Sequence, residues 1–425
     1  MAATSRVGTA RAPAVQRVPR SGGRQSGSPN RRRSATLRAM TDWAAFQYEI
    51  YLNGLLGKVP RLPTDLSRLA EIAEARLPAG PYGYVAGNAG GGKTEAANRE
   101  ALDRWRIVPR MLRDVGTRDL SVEVLGRRLP APVALAPVGV LSIMHPDAET
   151  AAARAAAEVG VPFTLSSASS TSMEDVAEAS GEGERWFQLY WPKDREVTKS
   201  FLRRAKESGY SALLVTLDTW LLSWRPRDLD QAYLPFLHGI GTENYFTDPA
   251  FLAGLAKPPV EDLQAAVMHF VGMFNDPTKT WDDLDFIREN WDGPIVLKGV
   301  LHPDDARRAA DAGMDGIVVS NHGGRQVAGA IGAADALPAI AEAVGDRLDV
   351  LFDSGIRGGE DTAKALALGA KTVLLGRPWV YALGLDGQAG VEHVLRAHLA
   401  ELDLTLALSG HATATSITRD DVTRS

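Results

Sequence analysis

Short apolar runs alternate with alanine-rich stretches of helical periodicity from about residue 130 onward. Apolar runs of this length, rich in β-branched residues, are typical of strands buried on both faces. Their alternation with helices predicts a parallel sheet joined by crossover helices. The predicted strands are Val133–Val138, Pro162–Ser167, Arg185–Tyr190, Ala212–Asp218, Ile295–Val300, Gly316–Asn321, Asp349–Ser354 and Thr372–Arg377. The predicted helices between them are Asp147–Val159, Ser172–Ala179, Arg195–Ser208, Pro303–Ala312, Ala334–Val344 and Glu360–Leu368.

Eight strand-helix units in a chain of this length predict an α/β fold, the TIM (β/α)8 barrel. The connection between the fourth and fifth strands, from about residue 219 to 291, is far longer than the others. Long ordered loops over an active site are usually lids. Its aromatic residues would pack such a lid down, or would form a small core with no gating role. They are Trp220, Trp224, Tyr233, Phe236, Tyr245, Phe246 and Phe274.

Composition narrows the class of protein. The chain has no cysteine, which excludes disulfides, thiolate metal sites and cysteine nucleophiles. No run of about 18 apolar residues occurs, so we predict no membrane association and expect the cytoplasm as the location. No metal site is predicted.

The charge is distributed unevenly. Residues 1–40 contain nine arginines and no acidic residue or lysine, whereas the net charge of the chain is -5. Removing those nine charges leaves about -14 for residues 41–425, which argues against a nucleic-acid partner for that part. We interpret residues 1–40 as a disordered basic tail. A transit segment, a nucleic-acid-binding tail and a start codon that really lies at Met40 all remain open. Residues 41–425 form the predicted barrel domain.

One motif points to a different class of protein. The stretch from Gly87 to Thr94 matches the P-loop pattern G-x-x-x-x-G-K-[ST], and Asp218 after an apolar run could serve as a magnesium-binding aspartate. However, a P-loop follows directly on a buried strand. The preceding stretch from Leu77 to Tyr84 contains two prolines and two glycines. We therefore keep nucleotide binding only as a remote alternative, and favour a glycine-rich turn before a helix near residues 95–103.

Polar and charged residues follow nearly every predicted strand. A TIM barrel gathers the carboxyl ends of its strands at one mouth, where its active site lies. The last two strands usually supply a phosphate site there. The residues expected around this mouth are Pro137, Val138, Gly139, Ser166, Gln188, Tyr190, Thr216, Asp218, Lys298, Ser320, Asn321, His322, Asp353, Ser354, Gly355, Arg357, Gly376 and Arg377.

The stretch from Gly316 to Gln326 carries the most specific chemistry. A β-branched run ends in Ser-Asn-His, two glycines and an arginine. The glycines let the backbone turn sharply and approach a ligand. His322 can transfer a proton near neutral pH, and Arg325 can bind a carboxylate with two hydrogen bonds. This pair suits a substrate that has an acidic group next to the proton that leaves.

These motifs resemble the FMN-dependent L-2-hydroxy acid oxidase and dehydrogenase family. The resemblance runs from about residue 44 to the C-terminus and rests on the stretches 187–190, 297–300, 320–326, 353–357 and 365–370. Within the family, the stretches 219–229 and 235–249, together with Gly139, are most similar to lactate 2-monooxygenase. The loop 141–146 departs from that pattern, which puts the substrate preference in doubt.

The resemblance implies FMN as cofactor and a role for each matching residue. His322 would be the base, Asp218 would orient it, and Tyr190 would bind the substrate hydroxyl. The substrate carboxylate would be held by Tyr84, Arg225 and Arg325. Lys298 would stabilise the reduced flavin ring, and Ser166, Gln188 and Thr216 would bond to the edge of the ring. The FMN phosphate would be bound by Arg357, Arg377, Gly376 and the turn after the seventh strand.

The implied substrate is a small L-2-hydroxy acid such as L-lactate, with O2 as the electron acceptor. A keto acid that stays bound would be decarboxylated by the hydrogen peroxide formed from O2, which gives acetate, CO2 and water. A keto acid that leaves first would be released with hydrogen peroxide, as in an oxidase; a dehydrogenase would instead use a quinone or cytochrome. The resemblance also implies a homo-oligomer, a tetramer or an octamer.

Overall fold

The structure, a computed structural model, describes residues 42–274 and 276–425. The interpretation of residues 1–40 as a basic tail lies outside the described residues. Among those described, no helix combines the length and apolar character that a membrane span requires.

Eight parallel strands close into a barrel, as predicted. Two short antiparallel pairs lie outside it: β1 (Trp105–Ile107) with the C-terminal β12 (Val422–Arg424), and β2 (Val122–Val124) with β3 (Arg127–Leu129). The barrel strands are β4 (Val133–Leu135), β5 (Phe163–Ser166), β6 (Arg185–Leu189), β7 (Leu213–Thr216), β8 (Ile295–Val300), β9 (Gly316–Val319), β10 (Asp349–Phe352) and β11 (Thr372–Leu375). Pairing of β11 with β4, Val373 opposite Val133, closes the ring. All eight carboxyl ends therefore meet at one rim.

Most observed strands are shorter than predicted because pairing stops before the polar residues that follow. Strand β9, for example, ends at Val319, and Ser320 and Asn321 belong to the rim loop. The strand interiors are buried: Ile317, Val318 and Val319 are each 0% exposed. This matches the continuous apolar runs from which the strands were predicted.

Helices surround the barrel, and further helices precede its first strand. Those before the barrel are α1 (Ala45–Gly54), α2 (Leu69–Arg76), α3 (Ala79–Ala86) and α4 (Lys93–Asp103). Those of the barrel repeat are α5 (Ala148–Val159), α6 (Met173–Ser180), α7 (Arg195–Glu207), α13 (Pro303–Asp311), α14 (Ala333–Val344), α15 (Gly359–Ala367) and α16 (Arg377–Leu408). The six predicted crossover helices are confirmed, and both ends of each agree with the prediction to within one residue. Helix α16 is interrupted by non-helical backbone at Asp386 and Gly387.

The long connection between β7 and β8 spans residues 217–294. Its described residues, 217–274 and 276–294, contain five α-helices: α8 (Pro226–Asp230), α9 (Glu243–Phe246), α10 (Pro249–Ala253), α11 (Leu263–Phe274) and α12 (Leu284–Asn290). We call this connection the lid segment.

Part of the lid segment has an aromatic core of its own. Tyr245 is 0% exposed, and its ring centroid lies 4.9 Å from that of Phe270 and 4.8 Å from that of Phe201 on α7. Phe270 in turn lies 4.9 Å from Phe274. Trp224 is 73% exposed and takes no part in this packing. The group of Tyr245, Phe270 and Phe274 therefore anchors this part of the lid segment to α7.

A buried ion pair adds to this anchor. Arg204 on α7 lies 3.0 Å from Asp248 and donates to the backbone oxygen of Asn244 at 2.8 Å. It also bonds to Glu174 at 2.8 Å. Asp248 is 0% exposed, so its carboxylate depends on this arginine.

We expect Arg204→Ala to destabilise the protein by about 3 to 5 kcal/mol, because it leaves a buried carboxylate without its cation. The matched control is Arg203→Ala, since Arg203 is the neighbouring arginine but its pair with Glu207 is exposed. That change should alter stability by less than about 0.5 kcal/mol. Urea unfolding of both variants measures the difference; equal losses would contradict the role of the buried pair.

Candidate active site

A histidine-aspartate pair lies at the rim of the barrel. Asp218 follows β7 by two residues, and its Oδ1 lies 2.8 Å from Nδ1 of His322, which follows β9. Thr219 donates to the same Oδ1 at 3.1 Å. The other ring nitrogen, Nε2, lies 3.5 Å from the hydroxyl of Tyr190. The carboxylate thus fixes the orientation of the ring and leaves Nε2 directed toward Tyr190.

Burial and neighbouring charges set the protonation states of His322 and Asp218. Burial lowers the pKa of His322, although the Asp218 carboxylate acts against this by stabilising the imidazolium. Burial acts to raise the pKa of Asp218, but His322 and Lys298 outweigh it, so that the net shift is downward. At neutral pH the pair is therefore a neutral imidazole beside an ionised carboxylate, and it can accept a proton at Nε2.

Two arginines and a tyrosine lie beside this pair. The guanidinium carbon of Arg325 lies 5.3 Å from the ring centroid of Tyr84. Arg225, which is 5% exposed, donates through Nε to the backbone oxygen of Arg325 at 3.1 Å. Burial, Arg225 and Arg377 lower the pKa of Arg325 to about 9, so the guanidinium is still charged at neutral pH. Such a group of buried cations favours an anionic ligand.

Lys298 lies at the end of β8, where it ties three strand ends together. Its Nζ lies 2.8 Å from Asp353 and donates to Ser320 at 3.0 Å. Ser354 donates to Asp353 at 2.7 Å and accepts the backbone N–H of Gly323 at 3.0 Å. Strand β8 and the loops after β9 and β10 are thereby held in one hydrogen-bonded network.

Three polar side chains on neighbouring strands form a buried chain of hydrogen bonds. Ser166 donates to Gln188 at 2.8 Å, and Gln188 donates to Thr216 at 2.8 Å. All three are no more than 3% exposed. The structure therefore groups Ser166, Gln188 and Thr216 as predicted, although none of them lines the cavity described next.

One cavity of about 920 Å³, including its open mouth, lies at this rim. The predicted residues that line it are Tyr84, Pro137, Val138, Gly139, Tyr190, Arg225, Lys298, His322, Arg325, Asp353, Ser354, Gly355, Arg357, Gly376 and Arg377. A Cβ at Gly139 would lie 2.4 Å from the backbone oxygen of Ala168, so a larger residue would require the backbone to move.

Arg357 and Arg377 line the same cavity. Burial and the charge of Arg377 lower the pKa of Arg357. The one carboxylate near both is Glu95 among the described residues, at 3.4 Å from Arg357 and 3.6 Å from Arg377. Asp361, which is 0% exposed, accepts the backbone N–H of Arg357 at 2.9 Å and fixes the turn. Glu95 and Asp361 were not predicted; the one sequence signal for Asp361 is its place in the first turn of a helix after a glycine-rich turn.

The P-loop match has a different geometry from a phosphate site. Helix α3 precedes it, not a strand, as the prolines indicated. The backbone N–H groups of Ala89 and Gly90 donate to Gly324 and Trp224 at 2.9 Å each. These two amides are thus bonded within the protein, and the segment supports the His322 loop.

Comparison with known proteins gives the family. Residues 73–424 match the model of the FMN-dependent dehydrogenase family. The chain belongs to this family. An FMN-dependent alpha-hydroxy acid dehydrogenase of Penicillium citrinum is 46% identical over 90% of this chain and 96% of its own length. An L-lactate oxidase of Lysinibacillus sphaericus is 40% identical over 85% and 93%.

Solved structures agree with the family assignment. A crystal structure of mandelate oxidase with (S)-4-hydroxymandelic acid superposes with a TM-score of 0.77 and 38% identity, covering 85% of this chain and 99% of that one. This FMN-dependent dehydrogenase therefore acts in 2-hydroxy acid oxidation and has FMN as its cofactor. The TIM barrel predicted from the sequence is confirmed.

The donor set of the cavity fits FMN. Two buried arginines with one partly exposed carboxylate between them suit a phosphate. Lys298 and the backbone at 137–139 suit a planar, electron-accepting ring that becomes negatively charged. The groups thus match both ends of the cofactor.

We expect Arg357→Met to weaken FMN binding roughly 10- to 100-fold, because a hydrogen bond between charged groups contributes about 1.5 to 3 kcal/mol. Titration of FMN-free protein, followed by quenching of flavin fluorescence, measures the dissociation constant. Arg347→Met is the control, since Arg347 is an exposed arginine paired with Asp311 away from the cavity. Unchanged affinity in Arg357→Met would refute the assignment of the phosphate end.

Proposed function

We propose that this enzyme oxidises a small L-2-hydroxy acid, L-lactate first, with O2 as the electron acceptor. The observation that carries the proposal is the pairing of His322 with Asp218 in the cavity lined by Tyr190 and two arginines. A base beside a carboxylate-binding pair matches a substrate whose carboxylate adjoins the carbon to be oxidised. L-lactate oxidases among the relatives, 40–41% identical, support the choice of lactate.

In the first half-reaction, the oxidation of the 2-hydroxy acid, each side chain at the site has its own role. Arg325, Arg225 and Tyr84 hold the substrate carboxylate, and Tyr190 hydrogen-bonds to the hydroxyl. His322 removes a proton through Nε2, either from the α-carbon or from the hydroxyl, while Asp218 stabilises the imidazolium. Burial and the Asp218 carboxylate raise the pKa of Tyr190, so its phenol stays protonated and can donate. FMN, when bound, supplies the two-electron acceptor.

The remaining predicted residues serve the cofactor. Lys298 would stabilise negative charge on the ring. The chain of Ser166, Gln188 and Thr216 would bond to the ring's edge. Arg357, Arg377 and Gly376 would bind the phosphate, with Ser320, Asp353, Ser354 and Gly355 shaping the turns.

The fate of the keto acid decides the overall reaction. A keto acid retained under the lid segment would react with the hydrogen peroxide formed from O2 and give acetate, CO2 and water, as in lactate 2-monooxygenase. Sequence likeness at 219–229 and Gly139 support this outcome. The first alternative is an oxidase that releases the keto acid and hydrogen peroxide. The second alternative is a dehydrogenase that passes the electrons to a quinone or cytochrome. We retain a homo-oligomer and a cytoplasmic location as expectations.

Aromatic 2-hydroxy acids are a second candidate substrate class. Mandelate oxidases are among the similar solved structures, and a 4-hydroxymandelate oxidase of Amycolatopsis orientalis is 39% identical over 81% of this chain. The position of Phe274 favours the smaller substrate instead. Its ring centroid lies 5.3 Å from that of Tyr190, so one side of the tyrosine is already covered by the lid segment.

The products under air test the proposal. Purified enzyme with L-lactate should yield about one acetate per lactate consumed, with little hydrogen peroxide. Pyruvate and hydrogen peroxide in equal amounts would establish the oxidase instead. Faster reduction of the flavin by (S)-mandelate than by L-lactate would overturn the choice of substrate.

We expect His322→Gln to retain FMN but to lose flavin reduction by roughly 100-fold or more, because general-base catalysis contributes about 10² to 10⁴. Anaerobic stopped-flow mixing with L-lactate measures this rate. In the wild type, the rate should fall as the pH drops through the lowered pKa of His322, since protonation removes the base. The exposed His302→Gln is the control. Normal reduction in His322→Gln would exclude the residue as base.

A further inference from the structure

Helix α4 lies outside the barrel repeat but contacts the loop that carries His322. Asn98 on this helix is 1% exposed and faces Asn321, which is 4% exposed. The two side-chain amides bond reciprocally. Nδ2 of Asn98 donates to Oδ1 of Asn321 at 2.8 Å, and Nδ2 of Asn321 donates to Oδ1 of Asn98 at 2.6 Å.

Further bonds fix the orientation of both amides. Oδ1 of Asn98 also accepts the backbone N–H of Ala333 at 3.0 Å. Oδ1 of Asn321 accepts the N–H of Gly324 at 3.1 Å, and its Nδ2 donates to the oxygen of Ile331 at 3.0 Å. Rotation of either amide would set donor against donor, so the pair specifies one arrangement of the loop.

The loop requires such support because its backbone is strained. His322, Gly323 and Gly324 have positive φ values of 59°, 63° and 81°. A left-handed conformation is unfavourable at a non-glycine residue, because Cβ approaches the following carbonyl oxygen. Gly324 packs directly on α4, since a Cβ there would lie 2.7 Å from the backbone nitrogen of Glu95.

We propose that Asn98 is a positioning residue for the reaction. Acting through Asn321, it holds His322 in the strained turn where Nδ1 meets Asp218 and Nε2 remains available. Asn98 does not line the cavity, and its side-chain amide bonds to the turn through Asn321. The inference rests on the proposed role of His322 as base.

A residue on the same helix provides the matched control. Thr94 is 0% exposed and lies one turn earlier. Its Oγ1 donates to the oxygen of Val327 at 2.7 Å and accepts the N–H of Ala330 at 3.0 Å. It therefore holds the far part of the same loop, beyond His322, through two partly buried hydrogen bonds, whereas the Asn98 side chain makes three.

The experiment compares FMN-loaded Asn98→Ala, Asn321→Ala, their double variant and Thr94→Val. Three quantities are measured: the thermal midpoint, the anaerobic rate of flavin reduction at saturating L-lactate, and amide hydrogen exchange over residues 321–326. Asn98→Ala should slow reduction about 10- to 100-fold and speed exchange at 321–326. Thr94→Val should lower the thermal midpoint similarly but leave the rate within about threefold. The double variant should be no slower than Asn321→Ala alone, since the two residues act in series.

Two results would overturn the proposal: equal slowing in Asn98→Ala and Thr94→Val, or additive effects in the double variant. Where Asn98→Ala does not fold, the isosteric Asn98→Asp replaces it, because it sets an oxygen against Oδ1 of Asn321 at unchanged volume. Should no 2-hydroxy acid reduce the wild-type flavin, the proposed function fails. The exchange measurement still decides the role of Asn98 in that case, and unchanged exchange at 321–326 would refute it.

Discussion

Repulsion between like charges within one cavity is the constraint on which the rest of this structure depends. Arg225, Arg325, Arg357, Arg377 and Lys298 all line the cavity. At about 4 Å and an effective dielectric constant near 20, two unit charges interact by about 4 kcal/mol. Burial, and after it the charge of neighbouring arginines, lowers the pKa values of Arg325 and Arg357. An empty cavity of this kind is unfavourable, and an anionic cofactor and an anionic substrate relieve it.

The closed barrel makes this charge concentration tolerable. Parallel strands joined around the full ring cannot slide apart, and rim networks pin the loops that follow them. Lys298 is neutralised by Asp353, and the charge formed on His322 would be balanced by Asp218. Backbone oxygens hold several of the guanidinium groups: Arg377 donates to Gly323 at 2.8 Å, and Arg325 donates to Val85 at 3.2 Å. These contacts orient the guanidinium groups without cancelling their charge. Glu95 is a single carboxylate shared by Arg357 and Arg377, so it offsets only part of their charge.

The barrel could be predicted from the sequence because its strands are continuous apolar runs and its helices are alanine-rich. Other elements lacked such a signal. Helix α3 begins at Ala79 although it includes Pro81, because proline in a first turn replaces an N–H that has no helical partner. The short helices of the lid segment, such as α9 (Glu243–Phe246), are held by aromatic packing that no local periodicity reveals.

Some features of the candidate site could likewise be predicted from the sequence, and others could not. Residues at strand ends, such as Asp218 and His322, could be placed at one rim because barrel topology brings all strand ends together. The 2.8 Å contact between Nδ1 of His322 and Oδ1 of Asp218 could not be predicted, because it depends on a left-handed backbone at His322. Asn98 carried no signal at all, because a buried asparagine on a helix becomes informative only when its partner from another segment is known.

The stretch from Gly87 to Thr94 matches the P-loop pattern in sequence but differs from a phosphate-binding loop in geometry. A phosphate-binding loop works because its backbone N–H groups are free and point at the ligand. Here the N–H groups of Ala89 and Gly90 already bond to residues of the lid segment and the His322 loop. The same glycines that would admit a phosphate instead admit close approach of protein backbone, as at Gly90, where a Cβ would lie 2.9 Å from Ala328. Packing against the loop after β9 therefore explains Gly90, and the lysine at position 93 is exposed.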